Sequence, residues 1–103
     1  MSIKKRFLKS KAVCKVTFRL PKEAAQGAET ADLVGDFNDW DASTPMRKLK
    51  DGAFTVTLDL EAGRAYQFRY LVDGTKWEND RQADRYVPSP YPGAENSVVE
   101  VIP

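Results

Sequence analysis

The sequence predicts an all-β domain, an immunoglobulin-like antiparallel β-sandwich of about seven short strands. Three observations predict it. Apolar and polar residues alternate with period two through most of the chain. Turn signals (Pro21, Gly35, Asp51-Gly52, Glu61-Ala62-Gly63, Asp73-Gly74) recur at intervals of roughly ten residues. No long amphipathic helical stretch is present, and 103 residues suffice for one core and no second domain.

The elements follow in order. Cys14, Val16, Phe18 and Leu20 share one face of a first strand, with Lys15, Thr17 and Arg19 on the other, and Pro21 ends it. Residues 22–28 are Ala-rich and read as a loop or one short helical turn. Residues 30–35 form a second strand closed by Gly35. Asp36 to Thr44 is a polar turn holding Phe37, expected in the core, and Asn38, expected to brace the turn through its side chain. Met46 and Leu49 mark a short third strand. Asp51-Gly52 then signals a hairpin into a fourth strand, with Phe54, Val56, Leu58 and Leu60 in phase. Tyr66, Phe68, Tyr70 and Val72 face inward from a fifth, leaving Gln67, Arg69 and Leu71 on the other side. Residues 78–92 read as loop, because Pro88, Pro90 and Pro92 exclude a regular central strand. Val98, Glu100 and Ile102 alternate with Val99 and Val101 in the last strand.

Composition narrows the function. The chain is 42% hydrophobic and 30% charged, an ordinary globular balance. Its net charge of +1 hides an asymmetry. Lys4, Lys5, Arg6, Lys9, Lys11 and Lys15 crowd the first fifteen residues without one acid, so the remainder is acidic. Residues 1–11 are expected to be a flexible, solvated basic arm, and 12–103 the folded module. Phe7-Leu8 followed by Lys-Ser-Lys is no signal-peptide core, and no stretch approaches the apolar length of a membrane helix. A cytoplasmic protein without membrane contact is expected, with nucleic-acid contact through the arm a minor alternative. Cys14 stands alone among alternating apolar residues and is expected in the core. The chain has no histidine, which removes Ser-His-Asp and Cys-His nucleophiles and the commonest zinc ligand. No cofactor or metal site is expected.

The two tryptophans, Trp40 and Trp77, both lie in turns that follow strand-like runs. Large rings at loop positions suggest an apolar platform for a ligand. Arg69 and nearby amides suit a sugar ring on that platform better than a charged metabolite. Gly35-Asp36-Phe37-Asn38-Asp39-Trp40 resembles the G-x-F-N-x-W turn of glycogen- and starch-binding modules, carbohydrate-binding module family 48. Such modules precede the catalytic barrels of branching enzymes and isoamylases (glycoside hydrolase family 13) and occur in the beta subunit of the AMP-activated protein kinase. The resemblance continues through Gly52-Ala53-Phe54, Tyr66 to Gly74 and Trp77, and closes with Gly93-Ala94-Glu95-Asn96-Ser97-Val98-Val99. It covers residues 13–102.

The resemblance implies an early-set immunoglobulin-like sandwich and a non-catalytic alpha-glucan site. Trp40 matches the first family tryptophan, and Arg69 stands where the family has a lysine. Trp77 matches the second tryptophan, three residues past Gly74 where the kinase modules have it two past. Asn96 matches the first of a paired asparagine, and Ser97 replaces the second. Each residue also has a plainer reading: Trp40 as a plug on the sandwich end, Arg69 as an ion partner of Asp59 or Glu100, Asn96 as a turn cap.

A tryptophan face covers the C–H side of a pyranose, and arginine and amide groups meet its hydroxyls. Independent glycoside hydrolysis is not expected, because it needs two carboxylates flanking a cleft. Asp80 and Asp84 are the nearest candidates, and the catalytic barrel that accompanies these modules needs roughly 250 residues. The expected partner is an alpha-glucan, with a glucan-metabolising enzyme or a second copy of the chain as further candidates. A protein-interaction module that has lost sugar binding is the competing reading.

Overall fold

A computed structural model of the chain describes residues 3–9, 12–41, 44–90 and 94–102. Lys11, Pro92 and Gly93 lie outside the described residues. Two antiparallel sheets form the expected immunoglobulin-like sandwich. The first sheet runs β1 (Ile3–Phe7), β2 (Val13–Leu20), β5 (Phe54–Glu61), β4 (Arg47–Lys48). The second runs β3 (Ala31–Gly35), β6 (Arg64–Val72), β9 (Glu95–Val101), β8 (Arg85–Pro88). A short β7 (Lys76–Glu78) also pairs with β6. Since β3 already pairs with Tyr70 to Val72 on one edge of β6, β7 takes the opposite edge, in line with β9. One helical turn, α1 (Lys22–Ala25), bridges β2 and β3.

Alternation drives the sandwich. Val16, Phe18 and Leu20 of β2 face Leu33 of β3, Phe68 and Tyr70 of β6, and Val99 and Val101 of β9 across one core. Cys14 is a fully buried free thiol within it. Phe18 meets Phe68 edge-on at 5.0 Å between ring centroids. Phe37, lifted from its turn, packs on Phe18, Tyr66 and Phe68. Gly35 lets that turn close: a Cβ there would lie 2.4 Å from the Gln67 carbonyl oxygen and 2.7 Å from Phe68 Cβ.

Two expectations are corrected. The basic terminus does not simply fray: Ile3 pairs with Phe18 and Phe7 with Cys14, which puts both in phase with the core. Lys5 falls at the inward position between them and escapes to the sandwich edge, where Nζ lies 2.6 Å from Asp84 Oδ2. That lysine breaks the alternation by which a strand is recognised. The segment read as loop contains β8, tolerated there because it is an edge strand and Pro88 closes it.

Candidate functional site

Strand phase sets the outer face of the second sheet. Gln67 and Arg69 point away from the core side chains Phe68 and Tyr70. Val98 lies opposite Gln67, so Asn96, two residues along, faces outward too. The three-residue loop after Val72 puts Trp77 opposite Leu71 and therefore in phase with Arg69. Asp73, at φ 51°, and Gly74, at φ 71°, make the tight reversal. Asp73 Oδ1 accepts the backbone N–H groups of Glu29 and Thr30, fixing the hairpin to the start of β3.

Trp40 arrives from the other side. Asn38 organises its turn: Oδ1 accepts the Gly35 N–H at 2.9 Å, and Nδ2 donates to Leu33 O and Thr44 Oγ1. Asp39 and Trp40 both hold the left-handed backbone, at φ 54° and 59°, which strains side chains of their size. The Trp40 N–H donates to Gly35 O at 2.9 Å and secures the strained turn.

These elements enclose an open groove of about 640 Å³, lined by Trp40, Gln67, Arg69, Trp77, Ser89, Pro90 and Asn96. Both indoles are exposed, Trp40 at 37% and Trp77 at 46%. Arg69 lies with its guanidinium carbon 6.0 Å from the Trp77 ring centroid, a cation–π arrangement. Its Nε donates to Asn96 Oδ1 at 2.6 Å, and Asn96 Nδ2 donates to Gln67 Oε1 at 3.0 Å. Asn96 is thereby 3% exposed and holds its neighbours more than it presents itself. The acids weighed as partners of Arg69 are taken: Asp59 pairs with Lys15, and Glu100 with Arg85.

Of the five residues read from the sequence, the structure brings four to this groove. A family model described as the glycogen recognition site of AMP-activated protein kinase matches residues 8–102. The chain belongs to this family. It is 38% identical over 61 residues to signal transduction protein MDG1 of Saccharomyces cerevisiae, covering 56% of this chain and 16% of that protein. It is 27% identical over 78 residues to cruciform DNA-recognizing protein 1 of the same yeast, covering 73% of this chain and 16% of that protein. The matched region is thus a small part of either relative.

Within this glycogen-recognition module, Ser97 is the correction. It pairs with core-facing Phe68, is fully buried, and so turns away from the groove. Its hydroxyl accepts the Asp80 N–H at 2.9 Å and donates to Asn79 Oδ1 at 2.8 Å. Asp80, also buried, accepts the Tyr70 hydroxyl at Oδ2 (2.6 Å) and the Gln82 N–H at Oδ1. Burial first, then the Asp80 charge and hydrogen bond, push the Tyr70 phenol well above its usual pKa of 10.0. Asp80 and Asp84 are therefore occupied structurally, Asp84 accepting from Lys5 and the Glu100 N–H. Gln67, Ser89 and Pro90 were missed. Gln67 was legible from its phase with Arg69, whereas the other two reach the groove from a stretch with no periodicity.

Proposed function

We propose that this chain binds an alpha-glucan in the groove between Trp40 and Trp77, without chemical turnover. One observation carries the reading: two exposed indoles and the Arg69 guanidinium line a single open groove. The rings cover the C–H faces of glucose units, Arg69 directs its Nη donors at vicinal hydroxyls, and Gln67 adds an amide donor. Asn96 acts here through Arg69 and Gln67, since both its amide atoms are engaged. Two half-exposed rings and a few hydrogen bonds give a dissociation constant of roughly 10–1000 µM, useful on a polymer through repeated contacts. Starch and glycogen chains fit the same description, so a linear maltooligosaccharide is the appropriate probe. Intrinsic fluorescence titrated with maltoheptaose is expected to saturate in this range. An unchanged spectrum and no heat at millimolar sugar would reject the reading.

A regulatory, protein-docking role is the second reading. Its support is the signal-transduction relative, in which the matched region is a minor part of a longer chain. Capture of a protein partner that glucan neither competes with nor enhances would favour it.

A further inference from the structure

The Trp40 indole has a partner that no sugar-contact role accounts for. Its Nε1–H donates to Asp36 Oδ1 at 2.9 Å, and the other oxygen of that carboxylate accepts the Gln67 backbone N–H at 2.8 Å. The β3–β6 ladder ends with Gly35 opposite Phe68, so the Asp36 side chain continues the ladder where the β3 backbone has turned away. Gln67 in turn accepts from Asn96 through Oε1, Asn96 accepts from Arg69 Nε, and Arg69 lies against Trp77. One continuous chain of contacts therefore runs from one indole to the other, and Asp36 joins the Trp40 indole N–H to the rest of it.

We propose that Asp36 is a positioning residue that fixes the plane of the Trp40 indole against the groove and couples it to the Gln67–Asn96–Arg69 wall. The proposal rests on the glucan reading of the groove. An indole free to rotate must be ordered when a sugar stacks on it, whereas a held indole has lost that freedom beforehand. A charge-assisted N–H to carboxylate bond is a strong way to hold it. The left-handed φ at Asp39 and Trp40 gives independent support: a strained backbone is retained where the surroundings fix one side-chain presentation.

The test is a cycle on the full chain, titrated calorimetrically with maltoheptaose. Trp40→Phe keeps an aromatic face and lacks the indole N–H. Asp36→Ala is expected to weaken binding by about three- to tenfold in the wild-type background, the scale of one ordered side chain. In the Trp40→Phe background the same change is expected to alter affinity by less than about twofold, because the two residues act as one unit. Equal losses in both backgrounds would overturn the proposal. Asp36→Asn covers the case where the alanine variant does not fold: one oxygen can still accept from either Trp40 or Gln67, and a smaller loss is expected. A second readout needs no ligand. The Trp40 Nε1–H proton resonance is expected to shift, and its solvent exchange to quicken, in Asp36→Ala and Asp36→Asn, with the Trp77 resonance unmoved. An unperturbed Trp40 resonance would overturn the proposal. No heat from the wild-type chain would instead overturn the glucan reading, and the resonance would still decide whether Asp36 holds the indole.

Discussion

Asn96 and Ser97 are adjacent on β9, yet they belong to two different polar systems. Ser97 faces inward and joins Asn79, Asp80 and Tyr70 in a network, buried at Asp80 and Tyr70, whose bonds run on to other protein groups, the Glu95 carbonyl and the Tyr86 hydroxyl. Asn96 faces outward and joins an open chain that ends on the Arg69 guanidinium and two exposed rings. No buried side-chain nitrogen or oxygen among the described residues lacks a partner, so both systems are satisfied. They differ in whether the last donors point at protein or at solvent. A closed network contributes stability, and an open one leaves groups for a ligand. Strand alternation alone sends two neighbouring polar residues to these two fates.

The largest effect expected is on the closed side. Asp80→Ala leaves the fully buried Tyr70 hydroxyl without its acceptor and frees the Gln82 N–H. A loss of about 3 kcal/mol in unfolding free energy is expected, from one buried unsatisfied group plus a lost charge-assisted bond. Denaturant titration measures it. Glucan affinity of the folded variant is expected to stay within about twofold of wild type. A variant that folds but binds much more weakly would show that the two systems are coupled, and the contrast would fail.

Next comes the open side. Trp40→Ala is expected to reduce maltoheptaose affinity by about 10- to 30-fold, the worth of one stacked ring, while changing stability by less than about 1 kcal/mol. Trp77→Ala is expected to cost about fivefold, because this ring is the more exposed and stands on a three-residue strand. Calorimetry on both variants checks the order. A Trp40→Ala variant that lost stability and kept affinity would mark that ring as a plug on the sandwich and nothing more.

The alkaline limb of stability sharpens the contrast without any ligand. Tyr70 has a raised folded-state pKa, by burial first and by Asp80 second. Below about pH 10 the phenol is protonated whether the chain is folded or not, and its contribution is fully present. Above that pH the unfolded chain ionises first, so stability falls until the folded-state pKa is reached. The slope expected from this group is at most about 1.4 kcal/mol per pH unit. Tyr66, raised more modestly by partial burial, adds to the same limb. Tyr70→Phe is expected to flatten the limb above pH 10 in denaturant titrations, though it starts from a less stable protein. An unflattened limb would mean that the closed network does not control it.

The sequence made the sandwich legible because its long strands alternate cleanly, as β2, β5 and β6 do. It hid β1, where Lys5 occupies an inward position, and β8, where prolines obscure an edge strand. Trp40, Trp77 and Asn96 were readable through the resemblance, and Arg69 through the resemblance and its strand phase together. Ser97 was misassigned since the family pattern names positions in a row, while a strand sends successive side chains to opposite faces. The roles of Asp36 and Gln67 depend on which strands lie side by side, and no local pattern carries that. Ser89 and Pro90 reach the groove through the path of an irregular segment, for which the sequence has no period to read.

The smallest effects provide the cleanest division, since they come from neighbouring residues of similar size and burial. Asn96→Ala removes the acceptor of Arg69 Nε and the donor to Gln67 Oε1. Arg69 and Gln67 border an open groove, so water can replace both bonds, and a stability loss of only about 0.5 kcal/mol is expected. The guanidinium is then no longer held over Trp77, and affinity is expected to fall about three- to fivefold. Ser97→Ala reverses the pattern. It strips the buried Asp80 N–H of its acceptor and the half-buried Asn79 Oδ1 of a donor, with an expected loss of about 1 kcal/mol and unchanged affinity. Paired denaturant and calorimetric titrations of the two variants read both quantities at once. If each variant moved both readouts in the same proportion, the two faces of β9 would be one cooperative unit, and the separation of binding from stability along this strand would be wrong.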